Sequence, residues 1–226
     1  MNNTNNIGKY WDGVYDAFHN NNPTRMSVWN EKPTPFYTRL TDFLKHNGVK
    51  TIMDAGCGDG RNIKPYLESG FNVIGVDASL SALQICKKYF SNSQNLELIQ
   101  DDITSINYPK EIDAVMCDHV LTHVKEVDNA LDSFYNLLRK GGFALIEFTS
   151  PIDSTYGQGE KLSEREFLQK GVYLRYDKLS DVYQMMRKFK ILCFTAEHST
   201  DPPHGPGYTR EKRHAHHSYF VLAVKE

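Results

Sequence analysis

The 226-residue sequence predicts an α/β fold in which helices cover a mostly parallel sheet. Two observations carry this. From Val49 onward, short apolar runs alternate with segments of helical pattern, the order expected of βαβ units. The first of these runs opens directly into a glycine-rich turn, Asp54-Ala-Gly-Cys-Gly-Asp-Gly60, followed by another helical segment. Length and a hydrophobic content of 40% suffice for a full core without disulfide or metal staples.

The elements follow in order. Helices are expected over residues 9–18 and 35–47, joined by a loop holding Pro23, Trp29 and Pro33. The first strand covers 51–54, and the helix after it, 62–69, is stopped by Gly70. Strand 72–76 ends in Asp77, and helix 79–90 follows. Strand 96–100 ends at Asp101-Asp102, and strand 114–118 ends at Asp118-His119. Helix 127–138 stops at Gly141-Gly142 before strand 143–148. Residues 150–176 form an insertion, 177–188 a helix, and 190–196 and 219–224 two last strands. The stretch 197–218 between them is rich in His, Pro and Gly. One domain is expected, with a helical cap (1–48), a binding core (49–150) and an insertion with the last strands (151–226).

Composition excludes several classes. A net charge of −2 without basic blocks argues against nucleic-acid partners. No apolar run reaches membrane-spanning length, and the polar start lacks a signal segment. Cys57, Cys86, Cys117 and Cys193 are widely spaced and read as reduced thiols of a cytoplasmic protein. There is no CxxC pair, so a cysteine zinc site is not expected, and the motif set calls for no metal.

The chemistry is concentrated at strand ends. A side chain at Gly56 or Gly58 would keep a ligand from the backbone. Asp77, seventeen residues after Gly60, is placed to accept ribose hydroxyls. Asp102 is placed to meet an adenine amino group, with Asp101 as the solvated neighbour, and Asp118-His119 lies above the same crevice. The turn reads GxGxG, with Asp54 before it and Asp59 inside it. Acids there repel a pyrophosphate and suit a ligand with a cationic end, which separates this site from that of a nicotinamide dehydrogenase.

The segments TIMDAGCGDGRN, NVIGVDAS, LELIQDDI, IDAVMCDHVLTHV and LLRKGGFALIEF resemble class I S-adenosylmethionine-dependent methyltransferases in content, order and spacing. The resemblance covers about residues 50–150. It implies a three-layer, Rossmann-like, seven-stranded sheet with an antiparallel last strand, and S-adenosyl-L-methionine as cofactor. It also implies roles. Asp54, Gly56, Cys57 and Gly58 line the methionine end; Asp77 holds the ribose, with Ala78 beside the adenine; Asp102 and Ile103 flank the adenine; Asp118 and His119 lie near the transferred methyl. Trp29 in the cap is a further cofactor contact or a core residue. The implied reaction is in-line methyl transfer to N, O or S of a small molecule by a monomer or homodimer. A non-catalytic binding protein and a macromolecule methyltransferase are the alternatives.

If the acceptor carries a proton, a base is useful. His119 is the first candidate by position, then His198 or His204. The segment holding His198, His204, His214, His216 and His217 reads three ways: polar surface, substrate contact, or metal ligands. His216 and His217 point to opposite faces if they lie in a strand. Tyr156, Phe167, Tyr173 and Tyr176 either line an apolar acceptor pocket or pack a lid. His123 is expected to pack or cap.

Overall fold

The computed structural model of the chain describes residues 4–22, 24, 27–28, 32–201 and 213–226. An N-terminal helix, α1 (Thr4–Asn21), precedes two short helices, α2 (Pro35–Arg39) and α3 (Thr41–His46). The alternating core then runs β1 (Thr51–Ala55), α4 (Ile63–Glu68), β2 (Asn72–Asp77), α5 (Leu80–Tyr89), β3 (Leu96–Gln100), β4 (Ile112–Cys117), α6 (Val127–Leu137) and β5 (Leu138–Thr149). A small sheet, β6 (Glu160–Lys161), β7 (Glu166–Gln169) and β8 (Val172–Arg175), leads to α7 (Leu179–Met185), β9 (Lys190–Asp201) and β10 (His214–Val224).

The main sheet has seven strands in the order β3-β2-β1-β4-β5-β10-β9. The first five pair in parallel, and β10 runs antiparallel to both neighbours. The order reverses beside β1, which leaves a crevice at the carboxyl ends of β1 and β4, where ligands of open α/β sheets bind.

Strand parity explains the continuous apolar runs. Met53, Val115, Cys117 and Ile146 face one cluster with α6 and α7, whereas Ile52, Ala114, Met116 and Leu145 face another with α2–α5. Strands buried on both faces have no polar side to present. Among the described residues no helix is long and apolar enough to cross a membrane.

Three local expectations are corrected, and the insertion gains a form. Residues 35–47 are two helices, because at Leu40 the backbone tightens and its N–H bonds back to Tyr37 O at 3.2 Å. The Tyr37 carbonyl also accepts the Tyr66 hydroxyl at 3.1 Å. β5 starts at Leu138, with a register shift before Phe143. The insertion 150–176 contains a hairpin turned at Lys170 (φ 49°) and Gly171 (φ 83°), the left-handed pair that suits a two-residue turn. β9 and β10 pair past the expected strand ends, through His217 with His198 to His214 with Asp201. Much of the His-rich stretch is therefore ladder, not loop.

α1 docks on α5. Asp12 accepts Ser79 Oγ at 2.7 Å and Ser81 N at 2.9 Å, and Val14, Tyr15, Phe18, Val28 and Ala82 close a small cluster. Asp59 is the second tether. Its carboxylate accepts Ser27 Oγ at 3.1 Å and Val28 N at 2.8 Å. Asp59 thus ties the segment before α2 to the glycine turn while it also borders the cleft.

Burial pushes the Asp59 carboxyl up to about 6, against the two hydrogen bonds and Arg61, which lower it. A raised folded pKa means the native state binds the proton more tightly than the unfolded chain. Stability therefore falls as pH rises from about 4 to about 6 and is level above. Between pH 4.5 and 7 the wild type should lose about 2 kcal/mol relative to Asp59→Asn, measured by urea denaturation. Parallel pH dependences in the two proteins would contradict this role.

Candidate active site

A cleft of about 230 Å³ lies over the carboxyl ends of β1, β2 and β4. Its roof is α1, which presents Ile7, Trp11 and Tyr15 at four-residue spacing, one face of the helix. Its floor is the glycine turn. Gly56 (φ 83°) and Gly58 (φ 54°) hold left-handed conformations, and Gly56 N and Cys57 N both donate to Val76 O. A Cβ on Gly56 would stand 2.3 Å from Val120 Cγ2, and one on Gly58 would stand 2.4 Å from the Tyr15 hydroxyl. Glycine is needed here for packing as well as for ligand approach.

Asp77 Oδ2 accepts Gly58 N and its Oδ1 accepts Ser79 N, both at 2.8 Å. The carboxylate thus fixes the turn and the start of α5, leaving its remaining lone pairs toward the cleft. Burial raises its pKa, against these hydrogen bonds. Asp102 lines the cleft beside Ile103 and accepts Thr104 N and Oγ1. Asp101 instead bonds Asp102 N and Asn107 N within its loop.

Asp118 is the centre of the site. Its Oδ2 accepts Arg61 Nη2 at 2.6 Å, Thr34 Oγ1 at 2.7 Å and Asn62 Nδ2 at 2.8 Å. Its Oδ1 is buried with no hydrogen-bond partner, as is Asp54 Oδ2. Burial pushes Asp54 well above the usual carboxylate range, and the charges of Asp118 and Asp77 add to this. Burial also pushes Asp118 up, but His119, Arg61 and the hydrogen bonds outweigh it and hold it low. Two buried carboxylate oxygens that share a cleft and lack donors fit the cationic end of S-adenosylmethionine.

His119 has a left-handed backbone (φ 56°), rare for a residue with a side chain. That conformation lets its N–H donate to Glu147 Oε2 at 3.1 Å. Its ring, 36% exposed into the cleft, lies between carboxylates: Nδ1 is 3.7 Å from Glu147 Oε1, and Nε2 is 3.9 Å from Asp118 Oδ1. Burial pulls the imidazole down, but Asp118 and Glu147 outweigh it and leave its pKa raised.

The structure brings Asp54, Gly56, Cys57, Gly58, Asp77, Ala78, Asp102, Ile103, Asp118 and His119 to one cleft. It does not bring His198 there. His198 is exposed on β9, and its ring meets His217 on the face opposite His216, so it is placed away from the reacting centre. Trp29 and His204 lie outside the described residues. Tyr156, Phe167 and Tyr176 pack edge to face on one another, and Leu174 and Thr155 line the cleft instead. His123, expected to pack or cap, lines the cleft while its Nδ1 lies 3.1 Å from Tyr173 O.

Glu147, Arg61, Asn62 and Asp153 were not anticipated. Glu147 left a readable signal, an acid inside the apolar run Phe143–Phe148, since a fully buried carboxylate in a strand needs partners.

A methyltransferase-domain family model matches residues 53–146, the span from β1 through most of β5. Over those residues the chain carries a methyltransferase domain similar to those of the class I S-adenosylmethionine-dependent enzymes. The ubiquinone biosynthesis O-methyltransferase of Rickettsia akari is 28% identical over 180 residues, covering 77% of this chain and 69% of that protein. The protein of the same name from Brucella ovis is 25% identical, covering 66% and 62%. Among solved structures, the magnesium protoporphyrin IX methyltransferase of Synechocystis PCC 6803, with bound SAM, superposes with a TM-score of 0.64 at 15% identity, covering 100% of this chain and 98% of that one. A SAM-dependent methyltransferase of Methanosarcina mazei gives 0.68 at 16% identity, covering 86% and 98%. At those identities the superpositions speak for the fold.

The overlap at Gly58 gives a test of how this methyltransferase seats its first helix. Gly58→Ala should destabilise the protein by ~1–2 kcal/mol of backbone strain plus the clash with the Tyr15 hydroxyl. Adding Tyr15→Phe should recover the clash and leave the strain, seen as a partial return of the urea midpoint. Strictly additive losses would mean that the two residues do not meet.

Proposed function

We propose that this methyltransferase acts on an oxygen of a small-molecule acceptor, with His119 taking the proton. The observation that carries the reading is the His119 ring, exposed to the cleft and flanked by Asp118 and Glu147. Two carboxylates beside an imidazole make it a stronger base, which suits a hydroxyl. The relatives named for ubiquinone biosynthesis are O-methyltransferases, which supports the same choice of atom. Four free cysteines fit a reducing, cytoplasmic setting.

When bound, S-adenosylmethionine supplies an electrophilic methyl on a sulfonium whose leaving group is a neutral thioether. Asp54 and Asp118 would hold its cationic end, Asp77 its ribose, and Ala78, Asp102 and Ile103 its adenine. Arg61, Asn62 and Thr34 keep the Asp118 carboxylate fixed while Oδ1 stays free for the ligand. α1 excludes water from above, which raises the value of each charge inside. Glu147 holds the His119 backbone through a hydrogen bond and favours the imidazolium once the proton has moved. The remaining demand is alignment of acceptor, methyl and sulfur.

His119 must be neutral to accept a proton, and its pKa is raised above 6.5. Turnover should therefore rise with pH through an apparent pKa above that value. In Glu147→Gln the limb should move to lower pH, because a carboxylate favouring the charged ring is gone. His119→Ala should lower kcat by ~10²–10⁴-fold at saturating donor. The assay is transfer of labelled methyl to a panel of catechols, phenols, amines and thiols. Labelling of amines or thiols alone would exclude the oxygen assignment, and unchanged turnover in His119→Ala would remove the base.

Donor affinity is a separate check. Asp77→Ala should weaken S-adenosylmethionine binding at least tenfold by calorimetry. Undiminished affinity would remove Asp77 from the ribose.

A further inference from the structure

Where β9 and β10 reach the mouth of the cleft, three side chains converge. Asp201, the last residue of β9, is the direct cross-strand partner of His214, the first residue of β10. His216, two residues on, is on the same face as His214. One donor atom from each of the three lies within 4.8 Å of the others, and all three are partly buried. The rings of His214 and His216 stand 4.6 Å apart at 89°, and His216 Nε2 is 3.8 Å from Asp201 Oδ2. Donors sharing a tetrahedral zinc ion sit roughly 3.4 Å apart, so small rotamer adjustments close the set.

A fourth residue sets the chemistry of the cluster. Asp153, 3% exposed, accepts a hydrogen bond from His216 Nδ1 at 2.9 Å and is itself held by Thr155 N and Oγ1. A histidine whose Nδ1–H is engaged by a carboxylate offers Nε2 as a bare lone pair, the arrangement that orients metal-bound imidazoles. Asp201, His216 and Asp153 all line the cleft, and the His119 ring is 5.7 Å from that of His216.

We propose that Asp201, His214 and His216 form a binding site for a divalent ion of the zinc type, with an open position toward the acceptor side of the cleft. Two imidazoles and one carboxylate suit zinc, cobalt or iron and are poor ligands for magnesium. Three protein ligands with one position open is the pattern of zinc sites that take a substrate oxygen. Of the three readings of the His-rich segment, the site takes up the metal-ligand one, in place of the expectation of no metal. Binding of the ion stands apart from the methyl-transfer reading, and only the use of the open position by an acceptor oxygen rests on it.

The test is titration of the metal-stripped full chain, without donor, by Zn²⁺ in a calorimeter and by Co²⁺ in visible absorption. One saturable equivalent is expected, with the absorption of cobalt in a low-coordinate site. His216→Ala and Asp201→Asn should each weaken binding at least tenfold, and Asp153→Asn by ~10–100-fold. His198→Ala, on the opposite face, should leave it unchanged. If His216→Ala does not fold, as judged by circular dichroism, Asp201→Asn at the strand end decides. No saturable binding, or undiminished binding in Asp201→Asn, would overturn the proposal. S-adenosylmethionine affinity measured on the same metal-free sample separates a failure of this site from a failure of the methyl-transfer reading.

Discussion

The carboxylate of Asp118 joins the parts from which the cleft is made. Its Oδ2 gathers Thr34 from the segment before α2, and Arg61 and Asn62 from the end of the glycine turn. Its Oδ1 remains without a donor, inside the cleft, 3.9 Å from the His119 ring. One side chain thus carries out anchoring with one oxygen and presents charge with the other. Loss of the carboxylate would leave Arg61 half-buried without its partner, a costlier state than an exposed cation.

The same electrostatics make the ligand part of the folded state. Asp54 and Glu147 are buried and Asp77 is half-buried; each is raised in pKa by desolvation, and each is near another acid. A protein assembled for stability alone would not collect them. A cation in the cleft relieves the repulsion, and anything that binds only the native state stabilises it by mass action. Catalysis and stability are therefore coupled through a single charge balance around β1 and β4.

The sheet was readable because its signal is local. Strands buried on both faces write continuous apolar runs, and the acids that end β2, β3 and β4 sit where the topology places ligands. The cleft floor followed from the glycine turn. What escaped reading depends on partners far along the chain. Asp59 looks like a ligand group by position, yet it is engaged by Ser27 and Val28, some thirty residues earlier. His216 and His217 were seen to diverge only on the condition of a strand, and nothing in a His-rich, Pro-rich stretch announces that β9 and β10 continue into it. Asp153 and Glu147 matter because of what crosses the sheet to meet them. Glu147 alone left a local trace.

The first helix is bound to the cleft more closely than a lid. Gly8 lies against the Ala78 carbonyl, where a Cβ would stand 2.5 Å away, and Tyr15 covers Gly58. Asp12 fastens the start of α5 from above. A helix fastened at Asp12 and fitted against two glycines is part of the wall of the cleft, so a bulky substitution on its inner face should disturb the site as directly as one in the glycine turn.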